Sequence, residues 1–123
     1  MAESIEQLIQ KIYAGFNKRD IPAVLSFLDP QVHWPNGWEG GYVEGHKAVS
    51  DYWTRQWKEL DPNVEPVSIV VDDNKADVTV RQVVKDIQGN LLSDSIVIHS
   101  YIIENGLIKS MEIVPGEFTP DLE

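Results

Sequence analysis

The chain has 123 residues, of which 42% are hydrophobic and 24% are charged, so its composition is globular and not that of a disordered segment. Asp and Glu number 20 against 10 for Lys and Arg, and the formal net charge is −10. This balance argues against nucleic-acid binding and against docking on an anionic membrane, because both depend on cationic side chains. The sequence has no cysteine, which excludes disulfides, thiolate nucleophiles and cysteine metal sites.

The first six residues are acidic and lack the basic region and apolar run of a signal peptide. No apolar stretch approaches the ~20 residues that a membrane-spanning helix needs. We therefore expect one domain over residues 1–123 and a cytoplasmic location.

The N-terminal region predicts two helices. The first is expected over residues 5–16, where apolar residues recur at helical spacing. Ser4, with Gln7 three residues later, is typical of a capping box. Asp20 is expected to cap a second, short helix that ends at Asp29-Pro30.

A short strand is expected at residues 31–34. Residues 38–45 carry three of the eight glycines, which favours irregular structure there. A third helix is predicted over residues 46–60, and Asp61-Pro62-Asn63 is expected to stop it.

After this point the hydrophobic period changes from about 3.6 to 2, which predicts a series of strands. The expected strands are residues 65–71, 75–86, 91–103 and 107–114. The expected hairpin turns are Asp73-Asn74, Gln88-Gly89 and Asn105-Gly106. Short links join antiparallel neighbours, so three helices followed by a meander predict an α+β fold.

The strand at residues 91–103 is mostly apolar on both of its faces. In an antiparallel sheet with one face in solvent, apolar and polar residues should alternate along each strand. The helices can cover one face, and a second subunit is the economical cover for the other. The sequence therefore predicts a homodimer through the sheet. The two faces are Val97, His99, Tyr101 and Ile103, and Ile96, Ile98, Ser100 and Ile102.

Three segments carry a family resemblance: residues 12–20 (Ile-Tyr-Ala-Gly-Phe-Asn-Lys-Arg-Asp), residues 45–53 with Tyr52-Trp53, and residues 105–111. Together with the order of elements, they resemble the NTF2-like superfamily, in its SnoaL-like and ketosteroid-isomerase-like branch. The resemblance implies a cone, in which three N-terminal helices pack on a strongly curved antiparallel sheet and leave an apolar pocket. This fold hosts isomerases, dehydratases, cyclases, hydrolases and binding modules, so it implies a fold more than an activity.

Ketosteroid isomerases use a helix tyrosine and a strand acid as hydrogen-bond donors, and an aspartate as base. Aligned on residues 17–20, the resemblance places Ile12 at the tyrosine position, and a shift by one residue would bring Tyr13 there. It places Trp34 at the position of the base and His99 at that of the second donor. The classical steroid reaction is therefore not expected.

His99 is the candidate catalytic residue, because a neutral imidazole on the concave face can donate or accept a proton near neutral pH. The alternative interpretation is a core histidine whose ring is satisfied by a neighbouring hydroxyl or carbonyl. Asp51 is the carboxylate nearest in sequence to the aromatic helix face, but its spacing places it outside.

Four tryptophans suggest a small-molecule pocket, since aromatic walls with sparse polar groups are typical of such sites. Trp38 belongs to this set, and Trp57 is expected to be core. Strand alternation points Gln82 into the pocket and Arg81 toward the dimer side, where we expect an ion pair. The candidate substrate-binding residues are Tyr13, Trp34, Trp53, Gln82, Tyr101 and Met111.

No metal site and no cofactor are expected. The three histidines lack the spacing of a metal motif, and residues 72–77 lack the Gly and Glu of a calcium loop, which favours an acidic hairpin turn. There is no phosphate loop and no Gly-x-Ser-x-Gly elbow.

Three hypotheses follow. The first is a cofactor-free isomerase, dehydratase or cyclase that acts on a small, largely apolar carbonyl compound. The second is a dimeric module that binds an apolar ligand or a partner protein without catalysis. The third is a purely structural dimer with a filled cone.

Overall fold

The structure is a computed structural model that describes residues 4–36 and 40–115, so Trp38 lies outside the described residues. None of the helices in these two ranges is long and apolar enough to cross a membrane. The described elements are α1 (Ile5–Asn17), α2 (Ile21–Leu25), β1 (Leu28–Pro35), β2 (Tyr42–Glu44), α3 (Gly45–Glu59), β3 (Leu60–Asp72), β4 (Lys75–Asp86), β5 (Leu91–Glu104) and β6 (Leu107–Pro115).

The strands form one six-stranded sheet in the order β2-β1-β6-β5-β4-β3. All neighbours are antiparallel except β1 and β6, which run parallel with Leu28 opposite Ile108. The α+β class is confirmed, with two corrections. The sheet is mixed, and the three helices are not consecutive, because β1 and β2 precede α3. The parallel pair arises because the first strand returns to the sheet beside the last one, a contact between residues far apart in sequence.

Both N-terminal helices begin at the predicted caps. The Ser4 hydroxyl accepts from the Gln7 amide at 3.1 Å, and the Gln7 side chain accepts from the Ser4 amide at 3.2 Å. Asp20 accepts from the Ala23 amide at 3.2 Å. At its C-terminal end, α1 is fastened to β3 because the Asn17 carboxamide donates to the Val64 carbonyl at 2.7 Å and accepts from the Val64 amide at 3.0 Å.

Three boundaries differ from the predictions. Helix α2 ends at Leu25, and Asp29-Pro30 lies inside β1, whose pairing with β6 shifts register between Leu28 and His33. Such an irregularity accommodates a proline that cannot donate to a ladder. Residues 42–44, expected to be irregular, form the short strand β2.

The third difference concerns Asp61-Pro62-Asn63, which lies in β3 instead of separating a helix from a strand. Strand β3 is at the edge of the sheet and pairs only with β4. Prolines are tolerated there, because one side of an edge strand needs no donors.

The predicted hairpin turns are confirmed. Asn105 and Gly106 have φ of 53° and 79°, which is the two-residue turn that an Asn-Gly pair favours. Asp73 in the β3–β4 turn also has a positive φ of 61°. The acidic segment at residues 72–77 is thus a hairpin, as expected.

One face of the sheet packs against α1 and α3 and forms the core. From β4 and β5, its buried residues include Val78, Val80 and Tyr101. The helices contribute Ile9 and Val49, both with 0% exposure. Side chains of β4 and β5 that point to this inner face are therefore held at fixed depth beneath the helices.

The opposite face, here called the outer face, consists of the side chains of β3–β6 that point away from the helices. Ile98 and Val114 are cross-strand neighbours on it, and neither is buried. Arg81 also lies on the outer face, where its guanidinium donates to Asp94 at 3.0 and 2.7 Å. The hydrogen bonds from Arg81 lower the pKa of the Asp94 carboxyl. The predicted ion pair of Arg81 is thus present within one chain.

We expect the outer face to form a homodimer. Strand β4 has 12 residues, each about 3.3 Å long in an extended strand. Four strands of that length, spaced about 4.8 Å apart, form a face of roughly 750 Å². A stable interface needs roughly 800 Å² per partner. Ile98→Lys places an unpaired charge in that contact and should halve the mass measured by light scattering at micromolar concentration. Gln10→Lys, on the exposed side of α1, should leave the dimer intact. A monomeric mass for the unmodified chain would contradict this expectation.

Candidate active site

A cavity of about 520 Å³ lies between the inner face of the sheet and the helices. All seven of the predicted site residues, the catalytic candidate and the six binding candidates, line it. Their roles toward a ligand remain predictions. Much of the wall is aromatic, from Phe16, Trp34, Tyr52, Trp53 and Tyr101.

Three polar side chains on this wall form a buried hydrogen-bond relay. The Tyr101 hydroxyl donates to the Tyr13 hydroxyl at 2.8 Å, and Tyr13 lies 2.7 Å from Nδ1 of His99. With the Tyr101 hydroxyl assigned as the donor to Tyr13, the one proton of Tyr13 is assigned to Nδ1 of His99. The neutral His99 ring must then carry its own proton on Nε2.

Burial sets the charge state of each member of the relay. Desolvation lowers the pKa of His99 to about 4, so the ring is neutral at pH 7. Burial, and secondarily the neighbouring Tyr101, raises the pKa of Tyr13, while burial also raises that of Tyr101. The three groups are therefore uncharged donors and acceptors near neutral pH.

Nε2 of His99 is buried and has no hydrogen-bond partner among the described residues. The whole side chain is 5% exposed and forms part of the cavity wall. An unpaired buried N–H costs about 1–3 kcal/mol, so a partner supplied by a ligand would recover that free energy. This atom is therefore a candidate polar anchor for a ligand.

Local structure explains why these groups meet. His99 and Tyr101 are two residues apart on β5, so both point to the inner face. Their cross-strand neighbours Val78 and Ala76 are fully buried and fix their depth. Both Ile12 and Tyr13 line the cavity from α1, and Tyr13 carries the hydroxyl that reaches His99. Of the two residues, Tyr13 is therefore the one that presents a polar group to the cavity.

The aromatic wall is held by edge-to-face packing. The Trp53 ring is 5.5 Å from that of Trp34 and 5.6 Å from that of Phe16, with interplanar angles of 89° and 81°. Trp57 stacks on Trp53 at 5.7 Å and does not line the cavity, in line with its expected place in the core. The Arg19 guanidinium covers Trp57 at 4.9 Å.

Sequence reasoning missed several lining residues. Ser93 lies on the inner face in phase with His99, so strand alternation could have found it. Tyr42 and Glu112 are exposed cavity residues, and the Tyr42 hydroxyl donates to Glu112 at 2.7 Å. No local sequence pattern predicts that Tyr42 on β2 and Glu112 on β6 lie next to each other.

A buried carboxylate base is missing from the described cavity wall. The position that the resemblance implies for the base is Trp34, which is 6% exposed and packs against Trp53. Asp51 is exposed, pairs with Lys47 at 2.9 Å and does not line the cavity. Glu112 is the one carboxylate among the described lining residues. Within residues 4–36 and 40–115, no group of three His, Asp or Glu side chains is arranged to hold a metal ion.

A comparison with protein-family models matches the SnoaL-like domain over residues 9–111, most of the chain. The chain belongs to the SnoaL-like family. This match confirms the resemblance to the NTF2-like superfamily and its SnoaL-like branch. A comparison with curated proteins finds no significant match.

Solved structures share the fold of this SnoaL-like chain at low sequence identity. An NTF2-like protein of unknown function from Burkholderia pseudomallei K96243 is 22% identical with a TM-score of 0.80, and the match covers 90% of this chain and 89% of the other. TerC, co-crystallised with polyporic acid, is 24% identical with a TM-score of 0.79 and 90% coverage of each chain. A proposed polyketide cyclase from Pseudomonas putida KT2440 is 14% identical with a TM-score of 0.82 and 94% coverage of each chain.

Proposed function

We propose that this SnoaL-like protein binds a small, largely apolar carbonyl compound and polarises its carbonyl group, without a cofactor, so that an enol or enolate forms. Isomerisation, dehydration and cyclisation of such compounds all pass through that species. The observation that carries the proposal is the neutral His99 ring, whose Nε2 is buried in the cavity wall and has no hydrogen-bond partner among the described residues.

The hydrogen-bond relay makes Nε2–H of His99 suitable as a catalytic hydrogen-bond donor. With Nδ1 accepting from Tyr13, the ring offers a donor that needs no reorganisation when negative charge develops on a carbonyl oxygen. The aromatic side chains around the ring form an environment less polar than water, which strengthens such a hydrogen bond. One preorganised donor of this kind is typically worth about 10²–10³ in rate.

His99 acts in this scheme as a donor and not as the base. A pKa of about 4 makes its ring a weak proton acceptor at neutral pH. The α-proton of the carbonyl compound would leave to water or to the exposed carboxylate Glu112. The enolate oxygen would then accept from Nε2–H until the carbon is reprotonated.

The missing buried base also favours a second candidate function, a binding module without catalysis. A polar anchor and an aromatic wall suffice to hold a ligand. The names of two fold neighbours are compatible with either function, since one was crystallised with polyporic acid and another is a proposed polyketide cyclase.

The test is the exchange of α-protons of 2-tetralone in D₂O, followed by NMR. We expect the wild-type chain to accelerate exchange and His99→Phe to lose about 10²-fold or more of that acceleration. His33→Phe is the matched control, because His33 is partly exposed, pairs with Glu44 at 3.0 Å and does not itself line the cavity, and phenylalanine keeps the ring that stacks on Tyr42. Circular dichroism would verify that both variants are folded.

Two results would contradict catalysis. Full exchange activity in His99→Phe would remove His99 from the mechanism. Binding of 2-tetralone, detected by quenching of tryptophan fluorescence, without any acceleration of exchange would favour the binding module.

A further inference from the structure

Two polar groups of the cavity, His99 and Gln82, lie on one pair of neighbouring strands. His99 on β5 lies opposite Val78 on β4, and Gln82 on β4 lies opposite Ser95 on β5. Four residues of strand separate the two positions, which is about 13 Å. His99 and Gln82 both line the cavity, so it has a polar position at each end of this stretch.

The stretch between them is apolar. Val80 and Val97 are cross-strand partners halfway between the two positions, on the same face of the sheet. Val80 is fully buried, and Val97 lines the cavity. The inner face therefore runs from a polar group through a hydrophobic floor to a second polar group.

Neither polar group has a hydrogen-bond partner within residues 4–36 and 40–115. Nε2 of His99 has no partner among the described residues. The carboxamide of Gln82, which is half-buried, forms no hydrogen bond with any described side chain or backbone group. A carboxamide offers both a donor and an acceptor, so it can pair with a hydroxyl or with a carbonyl.

The lining also restricts the charge of a ligand. Among its described residues there is no lysine or arginine, and its one charged side chain is the carboxylate of Glu112. Burying an anion without a cationic partner is costly, and the formal net charge of −10 adds to the repulsion. An uncharged ligand avoids both costs.

From this arrangement we infer that the ligand is an uncharged, elongated, largely apolar molecule with a carbonyl oxygen at His99 and a hydroxyl or second carbonyl at Gln82. The inference rests on the proposed function for the His99 end of the molecule. It adds Gln82 as the residue that determines specificity at the other end, and it excludes carboxylates and phosphates as ligands.

Three matched compounds test the inference: chalcone, 4-hydroxychalcone and 4-carboxychalcone. They share one elongated enone skeleton and differ only at the far end, which is apolar, hydroxylated or anionic. Their binding can be followed by quenching of tryptophan fluorescence, since Trp34 and Trp53 line the cavity. We expect the hydroxylated compound to bind roughly tenfold more tightly than chalcone, and the carboxylate to bind more weakly than both.

Gln82→Leu should remove the preference for the hydroxyl while leaving the affinity for chalcone within about twofold, because the leucine keeps an apolar wall of similar size. Ser95→Ala is the matched control, since Ser95 is the exposed cross-strand neighbour of Gln82 and does not line the cavity. It should leave all three affinities unchanged.

Persistence of the hydroxyl preference in Gln82→Leu, or equal binding of the carboxylate and the hydroxylated compound, would overturn the inference. Absence of binding by 4-hydroxychalcone would overturn it as well. Failure of the proposed function looks different: the preference for 4-hydroxychalcone over chalcone would still depend on Gln82, while the exchange of α-protons in 2-tetralone would not depend on His99.

Discussion

Replacing Trp53 with alanine is expected to lower the free energy of unfolding by about 3–5 kcal/mol, the usual range for truncating a buried tryptophan. Trp53 is 1% exposed and its ring contacts those of Trp34, Phe16 and Trp57, so the truncation leaves a void that its neighbours can fill only in part. Typical domains have a total stability of about 5–15 kcal/mol, and the variant should therefore be close to unfolding. Urea denaturation followed by circular dichroism measures the loss without relying on tryptophan emission.

Two variants define the comparison for Trp53→Ala. Trp53→Phe retains one aromatic ring and should lose about half as much stability or less. Tyr42→Ala removes an aromatic ring that is 52% exposed and should cost less than about 1 kcal/mol. All chains need the same concentration, because dimerisation would couple stability to concentration. If Tyr42→Ala lost as much stability as Trp53→Ala, the packing described around Trp53 would be wrong.

Acidification from pH 7.5 to pH 4.5 is expected to destabilise the protein through His99. The pKa of this ring is about 4 in the folded chain and about 6.5 when the chain is unfolded. Above pH 6.5 the ring is neutral in both states and contributes nothing to pH dependence. As the pH falls from 6.5 toward 4, the unfolded chain binds a proton that the folded chain does not, so stability is lost. At about 1.4 kcal/mol per pKa unit, the total loss approaches about 3 kcal/mol.

His99→Gln isolates this contribution, because glutamine has no proton to gain and can still accept a hydrogen bond from Tyr13. Its stability should be nearly flat between pH 4.5 and 7.5, whereas His33→Gln should retain the slope. Tyr13 and Tyr101, whose pKa values are raised, stay neutral throughout this range. The exposed carboxyls Asp86 and Asp94 have lowered pKa values, so the stability they contribute is lost only below this window. An unchanged slope in His99→Gln would show that His99 is not the buried neutral ring described here.

The same property that makes the chain acid-sensitive makes His99 useful in the proposed chemistry. A ring that resists protonation keeps Nδ1 free to accept from Tyr13 and keeps the proton on Nε2. Stability and function are therefore linked through one buried side chain. Nε2 has no partner in the part of the chain that the structure describes, and the free-energy cost of that state is consistent with a site that a ligand completes.

Much of the fold could be predicted from local patterns. The apolar face of α1, its capping box and the Asn105-Gly106 turn are properties of residues close in sequence, and the structure contains all three. Strand alternation predicts that Gln82, His99 and Tyr101 lie on one face of the sheet, and all three line the cavity. The predictions failed at prolines, because whether a proline ends an element depends on its neighbours in the sheet. Pro62 lies in a strand only because that strand is at an edge.

The periodicities, the turns and the family follow from the amino-acid sequence, because they depend on backbone preferences and on the spacing of apolar residues along the chain. Tertiary structure alone decided that β1 runs parallel to β6 and that the Tyr13 hydroxyl reaches His99 across 86 residues of sequence. It also decided the charge state of that histidine, since desolvation depends on what surrounds a side chain in space. The physical reason is that local patterns specify which face of an element is apolar, whereas the packing of α1 against the sheet specifies which polar groups meet beneath it.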